Sequence, residues 1–507
     1  MTEDGPRAYA ALLERTAALA DLRGIGALLW WDQGTMMPVA GAQSRAHQFA
    51  TLERIAHAQL TDPEMGRLLD AADPWAATLD PDARERRMVA EIRRDVEKAV
   101  RVPAELAAEI AHAAALGEHA WTEARAANDF GRFRDALARQ IELRHRYAAC
   151  FPDAAHPYDV LLDDFEPGLT VAELRPLFEA LRNGLVPIVA GAVRGGDGDG
   201  AGPLDGQFPA DAQRAFVTAM LEAHGFDSAA WRLDPTIHPF AQGIGVGDTR
   251  LTTHYDESTL DMALYSCLHE FGHGLYEAGI DPEIARTPLG GTTSLGVHES
   301  QSRLWENLVG RSRPFCEWIA PRLASAFPEA LGGLTPERLY VDGTRVRPSL
   351  IRIQADESTY NLHVVLRTDL EMRLFSGTLT VDELPDAWDA GMHELLGVEV
   401  PDAVRGVLQD IHWGAGLIGY FPTYSIGNLM SAQIWEALNR DVPDVEERIS
   451  RGDSEALRHW LRERVHRHGR TFPPRELLRR VTGEELSVEP FLRYLRGKLA
   501  DAGHLGA

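Results

Sequence analysis

The feature that most constrains how this chain can fold is an apolar stretch with two histidines, His269 and His273, four positions apart. Residues 259–278 have the spacing of a helix, with a start signal at Ser258 and a stop signal at Gly279. Helical side chains four positions apart lie on one face, so both imidazoles point the same way. Two neutral imidazoles in this arrangement can bind one Zn²⁺. The sequence therefore predicts a helix with a metal-binding face.

Two glycines, Gly272 and Gly274, lie inside this predicted helix. Each costs about 1 kcal/mol relative to alanine, and a close approach of another backbone would explain their presence. The simpler alternative is a helix with two surface histidines. Because the rest of the stretch is largely apolar, we expect a buried helix, and buried histidine and glutamate side chains need partners.

Glu270 follows His269 directly and is predicted to be a general base. Adjacent side chains on a helix point about 100° apart, so Glu270 lies near the metal but is badly placed to bind it. That position suits a carboxylate that holds a water molecule and takes its proton.

A third ligand is expected, because a catalytic zinc site normally has three protein ligands and keeps one position open. After the turn at Gly290–Gly291, a new helix is predicted to begin near Ser294 and to carry His298 and Glu299. Glu299 is the expected ligand. His298 is the alternative, since adjacent residues on a helix cannot both reach one ion.

Composition limits the classes of function. The chain has 507 residues and a net charge of −25, which argues against binding to nucleic acids or to membrane surfaces. Three distant cysteines indicate neither a disulfide framework nor a cysteine zinc site. We recognise no signal peptide and no apolar run long enough to span a membrane. We therefore expect a cytoplasmic protein.

The first part of the chain, residues 1–230, is predicted to be largely helical, with breaks at residues 30–38 and an irregular stretch at residues 158–169. A glycine- and aspartate-rich stretch at residues 195–200 is expected to be a flexible loop, with a calcium loop as the alternative. The predicted helices are residues 7–22, 42–60, 83–101, 104–128, 130–149, 174–192 and 210–224.

The second part, residues 231–507, carries the metal site. Arg250–Tyr255 is predicted to be a strand of a short sheet beside the metal helix, and an extended peptide could bind along its edge. From about residue 294 the pattern is helical to the end, apart from loops that include residues 414–422. The sequence therefore predicts a mostly α fold.

The predicted metal site alone does not distinguish a protease, an aminopeptidase and a carboxypeptidase. A carboxypeptidase must recognise a free C-terminus. Arginine is the expected side chain for this task, because it can bind a carboxylate through two parallel hydrogen bonds.

Six motifs of the chain together resemble a known family, the metallocarboxypeptidases of the thermostable carboxypeptidase 1 (Taq) type. The resemblance covers nearly the whole chain, and six motifs in the same order are specific. The motifs are His238–Phe240, Asp248–Thr252, His269–His273, His298–Gln301, Ile351–Asp356 and Gly406–Trp413.

The resemblance implies a helical, single-domain protein over residues 1–507, with a long, deep cleft and the metal at its floor. Members of the family are usually homodimers that remove residues one at a time from peptide C-termini, with broad preference. Carried over by position, His269, His273 and Glu299 bind the metal, and Glu270 is the catalytic base. Zinc is the expected ion, and Co²⁺ or Mn²⁺ could occupy the same ligands.

The resemblance also implies substrate-binding residues. Arg352 is the first candidate for binding the terminal carboxylate, and an ion pair with Asp356 is its alternative role. Arg250 is the competing candidate for the carboxylate. His238 is expected to order the loop beside the site.

Four further residues come from the last motif and the stretch after it. Asp410 and His412 are expected to form a pair, either supporting a metal ligand or as a plain buried hydrogen bond, and His412 is also a substrate-binding candidate. Tyr420 is the candidate for a phenol that hydrogen-bonds the developing oxyanion. Tyr424, in the same stretch, is a substrate-binding candidate, and core packing is the alternative for both tyrosines.

Two other functions stay open. A metal-dependent oligoendopeptidase would use the same site but would not require a free C-terminus. A peptide-binding scaffold with structural zinc needs no base and normally closes all four metal positions with protein ligands, so Glu270 argues against it. We therefore predict a zinc-dependent carboxypeptidase that acts on peptides with a free C-terminus.

Overall fold

The first part of the chain is almost entirely helical in the computed structural model, which describes residues 4–195 and 202–506. The candidate calcium loop lies outside the described residues from position 196 onward. The helices are α1 Asp4–Thr35, α2 Ala42–Leu60, α3 Pro63–Ala76, α4 Arg84–Arg101, α5 Ala104–Ala127, α6 Gly131–Ala148, α7 Pro157–Asp163, α8 Val171–Gly195 and α9 Ala210–Ala223.

Most of the predicted helices in this part are confirmed, and two predictions are wrong. Helix α1 continues to Thr35 instead of breaking at residue 30. The buried Trp31 packs under the guanidinium of Arg250, at 4.5 Å, and this tertiary contact favours the helix over the local break signal. Helix α7 occupies the first half of the stretch predicted to be irregular, since His156 caps its first turn, while residues 164–169 are non-helical as expected.

A short sheet precedes the metal helix, as predicted, and it has three strands; the predicted strand Arg250–Tyr255 is observed two residues earlier. Its strands are β1 Trp231–Pro235, β2 Ala241–Gly245 and β3 Asp248–Thr253, in the order β1-β3-β2. Strand β3 runs parallel to β1 and antiparallel to β2, and a turn at Gly247, with φ of 76°, joins β2 to β3. Because β3 is central, a peptide could add only to β1 or β2.

The second part of the chain returns to helices after the sheet. The prediction that it is helical from about residue 294 holds, but the non-helical stretch at residues 397–421 is longer than expected. The helices are α10 Asp261–Gly279, α11 Leu295–Arg303, α12 Arg313–Ala326, α13 Pro328–Leu331, α14 Pro336–Gly343, α15 Glu357–Phe375, α16 Leu384–Leu396, α17 Pro422–Asp441, α18 Val445–Ser450, α19 Glu455–Arg464, α20 Pro474–Thr482 and α21 Glu489–Asp501.

Helices α10, α15 and α17 form the centre of the largest hydrophobic core, and each is buried over most of its length. A smaller core joins α1, α3 and α4 to the segment that follows α10. Within the described part of the chain, no helix is both long and apolar enough to cross a membrane. The mostly α fold with a short sheet is thus confirmed, while the single-domain division and the long, deep cleft remain predictions.

Candidate metal centre

The metal helix α10 lies directly against α11, and glycine makes this approach possible. A Cβ atom on Gly272 would lie 2.4 Å from the carbonyl oxygen of Gln301 and 2.7 Å from the Cα atom of Ser302. A Cβ on Gly274 would meet the ring of Trp231 in the sheet at 2.6 Å. The close backbone approach expected from the two glycines is therefore confirmed, at Gly272.

Helix α11 begins where the sequence predicts. The side chain of Ser294 accepts a hydrogen bond from the backbone N–H of Val297 and so caps the first turn. One turn later, Glu299 faces α10. On its other side, a Cβ on Gly427 of α17 would lie 2.7 Å from the Cβ of Glu299, so α17 holds this side chain against α10.

Three side chains converge between α10 and α11. The Nε2 atoms of His269 and His273 lie 3.7 and 3.5 Å from the same carboxylate oxygen of Glu299, Oε2. One ligand atom from each residue lies within 4.8 Å of the others. Ligand atoms about 2.0–2.1 Å from a tetrahedral ion are about 3.4 Å apart. Two imidazoles and one carboxylate at these distances therefore fit a zinc-sized divalent cation.

Glu306 and Arg303 support this group from behind. Glu306 Oε2 lies 2.8 Å from Nδ1 of His269, which places the proton on Nδ1 and leaves the Nε2 lone pair facing the site. Arg303 donates to Glu299 at 2.6 Å and to Glu306 at 3.2 Å, so one guanidinium holds both carboxylates. Sequence reasoning missed Glu306. The helical spacing of positions 299, 303 and 306 could have revealed it.

Electrostatics keeps two of the three candidate ligands, Glu299 and His273, in the states that bind metal. Burial would raise the pKa of Glu299, but Arg303 and the histidines hold it well below its usual value. Burial lowers the pKa of His273 to about 3, so its imidazole is neutral. Burial also opposes a charge on His269, but the carboxylates around it raise its pKa overall.

His298, the alternative ligand, points elsewhere. Its Nε2 lies 3.0 Å from Glu277 Oε1, and its ring stacks on His273 with the centroids 4.2 Å apart. It is not part of the converging group. The structure thus brings Glu299, rather than His298, to the two histidines.

Glu270 is buried beside His269. It lines a cavity that is also lined by His269 and Glu299. Burial raises the pKa of its carboxyl to about 7, and His269 opposes this rise. Like His269, a cation in the site would act to lower this pKa. A carboxyl with a pKa near neutrality can both accept and return a proton, as a general base must.

The cavity has a volume of about 780 Å³ and extends from the metal centre to Arg352. Arg352 is buried and donates from Nε and Nη2 to Oδ1 of Asp410 at 3.1 and 2.8 Å. It also donates from Nη1 to the hydroxyl of Tyr360 at 2.8 Å. The alternative ion pair with Asp356 is not formed, because that carboxylate caps α15 instead. Tyr360 also lines the cavity, and the sequence did not identify it as a candidate site residue.

Arg250 and His238 do not line the cavity. Arg250 forms an ion pair with Asp248 and lies over the ring of Trp31. His238 is exposed, and its neighbour Pro239 lines the cavity in its place.

The remaining candidates form an aromatic cluster beside Arg352. His412 Nε2 lies 3.1 Å from the hydroxyl of Tyr424, and no hydrogen bond joins His412 to Asp410, which corrects the expected pair. Tyr424 lies in helix α17 rather than in a loop, and it lines the cavity. Tyr420 packs on Tyr424 with the ring centroids 5.2 Å apart but does not line the cavity.

Comparison with known proteins identifies relatives over nearly the full length. Residues 11–499 match the family model described as carboxypeptidase Taq (M32) metallopeptidase. The thermostable carboxypeptidase 1 of Thermus thermophilus is 42% identical over 97% of this chain and 98% of its own length. The crystal structure of the M32 carboxypeptidase from Deinococcus radiodurans R1 is 42% identical, with a TM-score of 0.94 over 98% of this chain and 100% of its own. A Pyrococcus furiosus carboxypeptidase structure is 35% identical, with a TM-score of 0.93 over 98% of this chain and 99% of its own.

Proposed function

Because the chain belongs to the carboxypeptidase Taq (M32) metallopeptidase family and is a metallocarboxypeptidase, we propose that it uses zinc to release C-terminal amino acids from peptides with broad specificity. The observation that carries this proposal is one cavity that contains both His269 and Glu299 of the metal-ligand group, Glu270 and the buried Arg352. A peptide end bound at Arg352 would lie near the metal centre.

The metal ligands would be His269, His273 and Glu299, which fit a tetrahedral divalent ion in distance and in donor type. When bound, such an ion lowers the pKa of a water molecule and polarises the substrate carbonyl. The imidazole of His269 is held in the required tautomer by Glu306.

Glu270 would take the proton from the attacking water and return it to the leaving amine. Its buried position beside His269 in the cavity suits both steps. Arg352 would donate hydrogen bonds to the terminal carboxylate, and Tyr360 and Tyr424 would border the same subsite. Arg250 is a weaker candidate for this role, because Asp248 and Trp31 occupy its guanidinium outside the cavity.

The first experiment is the hydrolysis of one short N-blocked peptide with its C-terminus either free or amidated. The proposal predicts cleavage of the free acid only, lost on chelation and restored by Zn²⁺. Equal cleavage of both peptides would instead indicate the oligoendopeptidase. No cleavage of either peptide by the metal-loaded protein would contradict both.

Substitution of Glu270 tests the base. Glu270→Gln keeps the shape of the side chain but removes its ability to accept a proton, so kcat should fall by about 10²–10⁴-fold. Metal content, measured by atomic spectroscopy, should stay at one ion per chain, because Glu270 is not a ligand. Retained turnover would refute the assigned role, and loss of the metal would show that Glu270 acts as a ligand.

The resemblance further suggests a homodimer in the cytoplasm. Both remain proposals, and sedimentation equilibrium of the purified protein tests the first of them. A mass near 55.9 kDa would show a monomer and contradict it.

A further inference from the structure

Two buried arginines share one buried carboxylate beside the end of the cavity at which Arg352 lies. Arg352 donates to Oδ1 of Asp410, and Arg367 donates from Nε to Oδ2 at 2.6 Å. The side chains of Arg352 and Asp410 are 6% and 11% exposed, and that of Arg367 is completely buried. Of the three, Arg352 lines the cavity. Arg367 therefore cannot reach a substrate, and any effect of it must pass through Asp410.

Arg367 is held firmly in place. Its Nη1 donates to the carbonyl oxygen of His363 at 2.8 Å, and its guanidinium lies over the ring of Trp388 at 4.4 Å. Arg352 uses three of its five N–H groups on Asp410 and Tyr360. The other N–H groups of Arg352 are left to donate to a ligand in the cavity.

The neighbouring ionisable groups leave Asp410 as the one carboxylate between the two arginines. Burial lowers the pKa of His412 to about 3 and that of His363 well below its usual value, so both are neutral. Glu371, one turn from Arg367 on α15, accepts its three hydrogen bonds from groups other than the two arginines. Burial raises the pKa of that carboxyl to about 7.

We propose that Arg367 is a positioning residue that neutralises Asp410, so that Arg352 keeps its positive charge for the carboxylate at the C-terminus of the substrate. Without Arg367, Arg352 and Asp410 would form a neutral ion pair, and a substrate carboxylate would compete with Asp410 for the guanidinium. With Arg367, the three groups carry two positive charges and one negative charge. In a buried site such an imbalance acts strongly on an incoming anion.

This inference rests on the proposed function and deepens it. Asp410 fixes the orientation of Arg352, and Arg367 offsets the charge of Asp410. The expected substrates are peptides whose last residue ends in a free carboxylate. C-terminal amides and esters, which carry no charge there, would be disfavoured.

The test removes the charge of Arg367 in the full-length, zinc-loaded enzyme. Arg367→Met should raise KM for an N-blocked peptide acid about 10- to 100-fold, the range expected for a hydrogen bond to a charged group. The value of kcat should stay within about twofold, because the lost interaction is made equally in the ground state and the transition state. If this variant does not fold, Arg367→Gln, which keeps a donor toward Asp410, takes its place with the same expected result.

A second substitution separates charge from packing. Asp410→Asn, added to Arg367→Met, leaves Arg352 as the one charge in the cluster and keeps an acceptor oxygen for it. The double variant should therefore recover most of the KM lost by the single variant. Arg144→Met is the matched control, since Arg144 donates to the carbonyl oxygen of Gly416 in the same loop and does not contact Asp410.

Four outcomes would contradict these proposals. A KM within about twofold of wild type in the single variant overturns the inference. A double variant as impaired as the single variant, or an equal rise in KM from Arg144→Met, also overturns it, because either would show loss of packing. Failure of the wild-type enzyme to prefer the free acid over the amide would instead count against the proposed function itself.

Discussion

Replacing Glu306 should weaken metal binding although Glu306 is not a ligand. Its Oε2 accepts a hydrogen bond from His269 at 2.8 Å, and its side chain is only 15% exposed. Hydrogen bonds to an ionised acceptor are roughly twice as strong as neutral ones. Loss of such a supporting partner typically lowers metal affinity about 10- to 100-fold. We therefore expect about a tenfold rise in the Kd for Zn²⁺ in Glu306→Gln and about a 100-fold rise in Glu306→Ala, which loses the acceptor altogether.

The control is the same change at a matched position. Glu277 lies on α10, as the candidate ligands His269 and His273 do, and pairs with His298 at 3.0 Å, but His298 is outside the candidate ligand group. Glu277→Gln should leave the Kd within about twofold. This control removes a half-buried carboxylate near the site that is hydrogen-bonded to His298 and not to a candidate ligand.

The assay is competition for Zn²⁺ between the protein and a chromophoric chelator at fixed pH, with circular dichroism of the metal-free variants to confirm folding. Unchanged affinity in both Glu306 variants would refute the argument that Glu306 orients His269. Equal losses in Glu306→Gln and Glu277→Gln would show a general electrostatic effect of removing acidic groups.

Two further predictions concern the stability of the folded protein. Gly272→Ala should destabilise the protein by about 1–3 kcal/mol and weaken zinc binding, because its Cβ would strike the backbone of α11; urea unfolding and the chelator assay measure the two effects. The buried carboxyl of Glu166 has its pKa raised to about 7 from 4.5 by burial. Its folded state therefore binds the proton more tightly, and stability falls as pH rises from about 4.5 to 7. Glu166→Gln should be more stable than wild type at pH 8, by up to about 3 kcal/mol, and this gain should vanish below about pH 4.5.

The Gly272 prediction has a control at another helical glycine, and the Glu166 prediction is checked by its pH dependence. Gly66 lies in helix α3, and a methyl group added there would have open space around it. Gly66→Ala should therefore stabilise the protein by about 0.5–1 kcal/mol. Destabilisation there as large as at Gly272 would mean that the close contact is not the cause. For Glu166, a stability difference that is the same at pH 5 and pH 8 would contradict the proton linkage.

Much of the metal centre could be predicted from local sequence. The spacing of His269 and His273 places both imidazoles on one face of any helix, whatever surrounds it. Ser294 was recognisable as a helix start, because capping depends only on the residues of the first turn. Gly272 predicted the close approach of another backbone, and that backbone is α11.

Other features depended on contacts between distant parts of the chain. Local signals predicted a break at residue 30, yet α1 continues because Trp31 packs against Arg250. The alternative partner of Arg352 was Asp356, four positions away, but that carboxylate is engaged by the first backbone N–H groups of α15.

The sequence by itself determined the two-histidine face, the neighbouring Glu270 and the helical class, because helical periodicity relates residues a few positions apart. Only the tertiary structure decided that Asp410, 58 positions from Arg352, is its partner, and that Arg367 shares it. The pattern of residues within one helix carries no information on which distant side chain will be buried against it. Burial then decides the pairing, since a charge removed from water must find its counter-charge within hydrogen-bond distance.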